Sequence, residues 1–406
     1  MIKIQHIHQG ANALTAGFIA VLVGFTSSVA LIYQAVVNLG GNADLVASWL
    51  MVLGLSMGIL SITLSVLYRV PILIAWSTPG AALLISSSQG FTLEQATGAF
   101  IFCAVLIFIS GVTGLFEKLM RRIPLPLASA MLAGVLVGFG IDVFNLLPQQ
   151  TALIASMLIT YLITKLISPR WCMIMVLIVG LIVAWSLQLL NFSALEFKLA
   201  TLQFTNPQWS WPAVMNIGLP LFIVTMASQN LPGIAVMQAH NYPVPISKTL
   251  TITGATNILI APFGGYAINF AAITAAICMT PEVNPNPNKR FLGSVAAGLF
   301  YILLAIGSGT LISLLDAMPS ALILALAGIA LFGTIASSLK LALSESYYLE
   351  ASMITFLVTA SDLVLLNIGS PLWGILAGCL TLFIQQITQK KANLIRLAFR
   401  QKQTKE

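Results

Sequence analysis

The sequence predicts an all-α polytopic membrane protein of fourteen transmembrane segments. They form two inverted repeats of seven, with segments 3 and 10 each broken into a short extended stretch and a half-helix. Three observations predict this. Of 406 residues, 58% are hydrophobic and only 7% charged, with a mean hydropathy of +0.98; a soluble domain carries roughly 25% charged residues. The basic residues fall on one side once fourteen crossings are counted. Two apolar runs, one in each half, are interrupted by residues that a membrane helix resists.

A bilayer core needs about 20 apolar residues per helix. Apolar runs and polar punctuation place the first seven segments at Asn12–Val37, Asp44–Leu67, Ala75–Ser87, Leu93–Phe116, Pro126–Phe144, Thr151–Ile167 and Trp171–Leu190. The N-terminal run lacks a small-residue cleavage pattern and is expected to be a retained span. The more polar Asn191–Trp211 reads as linker and hinge between halves. Segments 8 to 14 follow at Pro212–Gln238, Ile246–Ile260, Phe263–Met279, Arg290–Leu315, Pro319–Leu339, Glu350–Asn367 and Pro371–Ile387. Residues 1–190 then form the first repeat, 191–211 the linker, 212–390 the second repeat and 391–406 a basic tail.

With both termini cytoplasmic, seventeen of the eighteen Lys and Arg residues lie inside, as the positive-inside rule requires; Lys198 alone lies outside. The net charge of +7 is scattered over loops and tail, which gives a nucleic acid nothing to follow. The four cysteines, Cys103, Cys172, Cys278 and Cys379, sit in apolar runs without short spacing and read as buried small hydrophobes.

The halves share short matches in common order. Ile72–Ala75 matches Ile258–Ala261, Leu132–Gly134 parallels Leu326–Gly328, and Gln34-Ala35 parallels Gln238-Ala239. Seven crossings per half turn the second repeat upside down relative to the first. Paired interrupted segments in such halves are a pointer to a transporter's binding site.

The breaks hold the candidate site. The run Trp76-Ser77-Thr78-Pro79-Gly80-Ala81 places proline in a first helical turn with Ser77 or Thr78 as its cap. Half-helices are expected to start near Pro79 and near Gly265, aiming their N-termini at a shared anion. Gly264 and Gly265 would let that ligand approach the backbone. Trp76, Phe263, Tyr266 and Phe270, with Phe25 and Tyr33 of segment 1, would wall a pocket for a ring. Gln229 and Asn230, and Asn269, Thr274, Ser27 and Ser28, are polar within apolar spans and would bind a carboxylate or glue helices together. Proline kinks in packed helices are the plainer alternative for both breaks.

No carboxylate falls within the breaks. Asp142, Glu94 and Asp362 are candidates for proton coupling, each equally readable as interfacial, and His240 could titrate near neutral pH. The substrate's own carboxyl could carry the proton instead. No paired Cys/His spacing, P-loop, Gly-x-Ser-x-Gly or dinucleotide fingerprint occurs, so neither an enzyme, nor a metal, nor an organic cofactor is expected.

Three motifs, Trp76–Leu84, Thr225–Asn230, and Pro262–Gly265 followed by Ala271–Cys278, resemble the benzoate:proton symporter family BenE. The resemblance covers nearly the whole chain. It implies a proton-coupled importer of benzoate or a related aromatic carboxylate in a bacterial inner membrane, with a proton gradient as its energy source. It implies the seven-plus-seven fold shared with nucleobase and SulP anion transporters, with segments 1–4 and 8–11 as core and 5–7 and 12–14 as gate in elevator-type transport. Related folds suggest a homodimer. Nucleobase transporters carry glutamates in segments 8 and 10. Gln229, Asn230 and Asn269 stand in that neighbourhood here, which argues against a nucleobase. An uncoupled anion channel or facilitator, or a carrier of another small organic anion, is the alternative.

Overall fold

The structure is a computed structural model that describes residues 2–26, 28–114, 124–168, 171–191, 197–271, 273–361, 363–365 and 370–403. Each of the fourteen apolar stretches contains a helix. In order they are α1 (Ile2–Thr26), α2 (Val29–Asn38), α3 (Ala43–Tyr68), β1 (Ile74–Trp76), α4 (Thr78–Ser87), α5 (Leu93–Val112), α6 (Leu125–Asn145), α7 (Thr151–Ile167) and α8 (Cys172–Ser186). After the linker come α9 (Trp211–Gln238), α10 (Ile246–Ile260), β2 (Ile268–Phe270), α11 (Ile273–Met279), α12 (Phe291–Ile306), α13 (Ser308–Asp316), α14 (Ser320–Ala342), α15 (Leu349–Ala360) and α16 (Ser370–Gln403). Among the described residues, eight helices are long and apolar enough to cross a membrane.

Local chemistry sets the boundaries. Asn42 caps α3 by accepting the Leu45 N–H, and Thr92 and Gln95 close a reciprocal capping box on α5. Within α9, two stretches, Val214–Gly218 and Met226–Asn230, widen to π geometry. Each ends at a Leu-Pro pair, Leu219-Pro220 and Leu231-Pro232. Proline has no N–H to donate and its ring strikes the carbonyl four residues back. The wider turn lets Leu219 and Leu231 donate to Val214 and Met226 instead.

Packing divides the elements into two groups. In one, α3 lies along α12 and α5 along α10, with α1 against α11 and α12, and α9 against α4 and α5. In the other, α6 lies along α14 and α15, α15 along α16, and α7 along α8. The contacts exchange when the halves are swapped: α3 with α12 becomes α10 with α5, and α2 with α4 becomes α9 with α11. Backbones approach closely at small residues. A methyl on Gly58 would lie 2.6 Å from the Gly298 carbonyl oxygen, and one on Gly254 would lie 2.5 Å from the Phe108 nitrogen.

Over its described part the linker is bonded to the bundle. Lys198 pairs with Asp44 at 2.6 Å and exchanges backbone bonds with the Thr310 hydroxyl. The N–H groups of Gln203, Thr205 and Gln208 donate to the Ser48 hydroxyl and to the carbonyls of Pro262 and Glu94. The chain is therefore a strap over α3, α5, α13 and the α10–β2 corner. The ion pair gives Lys198, the one basic residue expected outside, a local partner. Cys103, Cys172 and Cys278 are buried as expected, but Cys379 is exposed.

Candidate functional site

The two breaks meet as an antiparallel pair of strands, with Ile74 opposite Phe270, Ala75 opposite Asn269 and Trp76 opposite Ile268. The ladder extends through Ser77 N–H to the Ala267 carbonyl (3.0 Å) and Ala271 N–H to the Leu73 carbonyl (2.9 Å). Residues 73, 75 and 77 thus bond inward to β2, which leaves the groups of 72, 74, 268 and 270 facing outward. In lipid such edges require protein partners, and side chains supply them. The Ser65 hydroxyl accepts the Ile72 N–H and donates to its carbonyl, and the Ser61 hydroxyl accepts the Ile74 N–H. Asn257 accepts the Ile268 N–H and donates to its carbonyl, while Asn230 accepts the Phe270 N–H at 3.0 Å. The Asn269 amide, oriented to satisfy its neighbours, accepts the Ser77 N–H and donates to the Phe270 carbonyl.

This register corrects the expected one. Ile258–Ile260 is the end of helix α10, so its match to Ile72–Ala75 is a coincidence of composition. The counterpart of Ile74–Trp76 is Ile268–Phe270, ten residues further on. The second half-helix accordingly starts at Ile273, not near Gly265, because the strand must precede it. The first starts at Thr78 with Pro79 in its first turn, as expected.

At the first corner, Ser77 is fully buried and caps α4 by accepting the Gly80 N–H at 3.1 Å. Its hydroxyl also accepts from Thr225 of α9 at 3.2 Å, and its carbonyl accepts from the Tyr266 hydroxyl. Pro79, Gly80 and Ala81 are buried in the turn that follows. Pro79 has no N–H and Gly80 is capped, so Thr78 is what the turn has left. Its N–H and half-buried hydroxyl have no protein partner among the described residues. Trp76 is buried, with Phe25 half-buried beside it at a ring separation of 6.0 Å. Gln229 follows Thr225 by four residues within the second π turn. It is half-buried, and its amide is likewise unpartnered among the described residues.

Four expectations change here. Gly264 has φ of +96°, and a methyl there would strike the Trp49 indole; one on Gly265 would strike Ile260. Protein fills the space meant for a ligand. Tyr266 is buried in a triad with Trp49 and Phe100, at ring separations of 5.6 to 6.3 Å, and serves as wall, not lining. Tyr33 points its hydroxyl at 2.8 Å to Asp316, which lines a cavity with Asp44 and Lys198, and not to the breaks. The coupling candidates do not converge on the corner. Asp142 is exposed beside Asn145, Glu94 opens α5, and His240 is exposed at the end of α9. Asp362 and Ser27 lie outside the described residues.

Sequence reasoning gives no individual role to Ser61, Ser65, Thr225 or Asn257. The lone Asn257 in its apolar run and the i, i+4 spacing of the serines were the available signals. Two cavities lie among the described residues, neither lined by residues 72–81 or 225–230. One of about 300 Å³ lies between α1 and α11, lined by Asn12, Thr15, Ile19, Ile277 and Thr280 among others. One of about 140 Å³ lies under the strap, lined by Asp44, Lys198 and Asp316 among others.

Extended backbone crossing inside a helical bundle, with its edges held by side chains from both halves, is the construction of a membrane transporter. Comparison with known proteins narrows the class. The chain belongs to the BenE family, described as benzoate membrane transport protein, whose profile matches residues 8–384. It is 44% identical over 365 residues to the Escherichia coli K12 "Inner membrane protein YdcO", covering 90% of this chain and 93% of that one. It is 36% identical over 373 residues to the "Benzoate membrane transport protein" of Acinetobacter baylyi, covering 92% and 95%. The fold is that of the transmembrane domain of the cyanobacterial bicarbonate transporter BicA, with TM-score 0.61, 14% identity and 91% and 97% coverage. It is also that of the murine anion transporter Slc26a9 in its inward-facing state, with TM-score 0.57, 15% identity and 93% and 68% coverage.

Proposed function

We propose that this protein is a secondary active transporter that takes up benzoate, or a related small aromatic carboxylate, together with protons. The observation that carries the reading is the corner itself. An aromatic wall of Trp76 and Phe25 adjoins a helix N-terminus whose Thr78 donors lack protein partners among the described residues, and Thr225, four residues before the similarly unpartnered Gln229, bonds to its cap Ser77. Ring and carboxyl would be met at one place, the carboxyl by donors and a positive dipole end. Asn230, Asn269, Ser77, Pro79, Gly80 and Ala81 shape this place by holding the strands and the turn.

The reading includes fourteen crossings in two inverted repeats, supported by the way contacts exchange between halves. It includes an elevator-type division with α1–α5 and α9–α13 as core and α6–α8 and α14–α16 as gate. The reading takes both termini to be cytoplasmic, as the basic residues suggest, the membrane to be a bacterial inner membrane, as the name of one relative suggests, and the protein to be a homodimer. The cavity between α1 and α11 would then be the cytoplasmic path. No carboxylate among the described residues bonds to β1, β2 or α4, so the substrate's own carboxyl is the proposed proton carrier.

Purified protein in liposomes should accumulate labelled benzoate under an inward proton gradient, and a protonophore should abolish the accumulation. No uptake above empty liposomes across a panel of aryl acids would overturn the reading. The same lack of a carboxylate favours a second reading, an uncoupled anion facilitator. A flux that ignores the proton gradient and does not saturate would select it.

A further inference from the structure

We propose that Ser28 is a positioning residue: it fixes the Trp76 ring and thereby sets which ring sizes the site accepts. The proposal rests on the aryl-carboxylate reading above. Helix α1 ends at Thr26 and α2 begins at Val29, with Ser28 at the cap position and its N–H on the Phe25 carbonyl. A serine at that position ordinarily turns its hydroxyl onto the first turn of the helix it starts. Ser28 makes no such bond. Its hydroxyl instead donates to the Gly24 carbonyl at 2.7 Å and accepts the Trp76 Nε1–H at 2.7 Å.

The direction of this chain matters. A hydroxyl has one proton, and the Gly24 carbonyl, an acceptor only, takes it. Toward Trp76 the Ser28 oxygen can therefore only accept. The indole N–H is consumed inside the protein and is not offered to a substrate carboxylate. Trp76 presents ring surface alone, which separates the roles: Trp76 meets the ring, Thr78 and Gln229 the carboxyl.

The anchoring is rigid on both sides. Trp76 is the last residue of β1 and precedes the cap Ser77, so its backbone is fixed by the strand pair. The Gly24 end of the relay is packed: a methyl there would lie 3.3 Å from the Tyr301 hydroxyl and 3.5 Å from Thr274. With its N–H held at Ser28, the indole has one orientation beside Phe25. Without that acceptor the N–H is buried and unpaired, and the ring turns to find another partner.

The test is transport kinetics in liposomes for benzoate and for larger acids such as 2-naphthoate. Ser28→Ala should raise KM for benzoate about three- to tenfold, the range of one lost hydrogen bond, with the effect in KM more than in maximal rate. It should also narrow the preference for benzoate over 2-naphthoate. Ser28→Thr, which keeps the hydroxyl, should restore both. In a Trp76→Phe background, which has no indole N–H, adding Ser28→Ala should change neither KM nor preference. Should Ser28→Ala not fold, Ser28→Cys, a weak acceptor of similar size, replaces it in each arm. Unchanged KM and selectivity in the Ser28 variant would overturn the proposal. So would an equal effect with and without the Trp76 indole, which would assign Ser28 to helix structure alone. If the wild-type protein transports no aryl acid, the functional reading fails and the proposal falls with it.

Discussion

Asn257 grips Ile268 by both peptide groups, accepting its N–H at 2.9 Å and donating to its carbonyl at 3.1 Å. One side chain of α10 thus stands in for a third strand beside β2. Replacement by leucine would leave two buried backbone groups unpaired, at about 1–3 kcal/mol each. Asn257→Leu is expected to lower the thermal unfolding temperature markedly in detergent. An unchanged temperature would mean that β2 finds other partners.

Gly265 is predicted to be a stability position, not a binding one. Gly265→Ala would drive a methyl into Ile260 and is expected to destabilise by about 1–3 kcal/mol, the usual cost of overpacking. Adding Ile260→Ala should recover part of the loss, since it removes the struck side chain. Thermal unfolding of the single and double variants checks this. Weaker substrate binding by a fully stable Gly265→Ala protein would count against it.

The donors of Thr78 and Gln229, which have no partner among the described residues, give a binding prediction. Thr78→Val and Gln229→Leu keep size and remove hydrogen bonds. Each should weaken benzoate binding about ten- to a hundredfold, the range for a bond to a charged group, with little change in unfolding temperature. Ligand-dependent thermal stabilisation reads the affinity directly.

Gln229→Glu places a titratable carboxyl where the substrate's carboxyl is proposed to sit. Uptake should fall more steeply with rising pH than in the wild type, as the new group ionises and repels the anion. The comparison of uptake at several external pH values, at constant gradient, tests this. A parallel pH profile would remove Gln229 from the site.

The Lys198–Asp44 pair is half-exposed on both sides. Lys198→Ala should cost no more than about 1 kcal/mol, and the difference from wild type should shrink at high salt. A large, salt-independent loss would show that the strap is held chiefly through this residue's packing.

Much of the fold was legible because lipid imposes a simple rule. About twenty apolar residues make a span, and each predicted stretch does hold a helix. The first break was legible too: Ser77, Thr78 and Pro79 spell a helix start by local chemistry alone. The second lies ten residues beyond the run Ile258–Ala261 that resembles the first. Ile258–Ala261 and Ile72–Ala75 are alike in letters, but one closes a helix and the other opens a strand. Nothing local separates the two, since a short apolar run fits either state.

The candidate site was legible in its residue types and less so in its assignments. Of the aromatic residues near the breaks, Trp76 and Phe25 lie side by side at the strand end, whereas Tyr266 turns to Ser77 and Tyr33 to Asp316. Their hydroxyls are bound 189 and 283 positions away in sequence. Glycine at 264 answers to the Trp49 ring, 215 residues earlier by numbering (264 − 49).

The sequence by itself determined that this chain lives in a membrane, where its apolar helices lie and where two of them break. Those properties follow from composition, charge placement and the chemistry of adjacent residues. Only the tertiary structure decided what the breaks are for. An extended backbone in an apolar interior cannot satisfy itself, so its partners come from elsewhere. Ser61, Ser65, Asn230 and Asn257 hold the strands, and Ser28 and Thr225 hold the corner between them. Which residue serves which bond depends on how distant helices pack, and packing is not written in any single stretch of the chain.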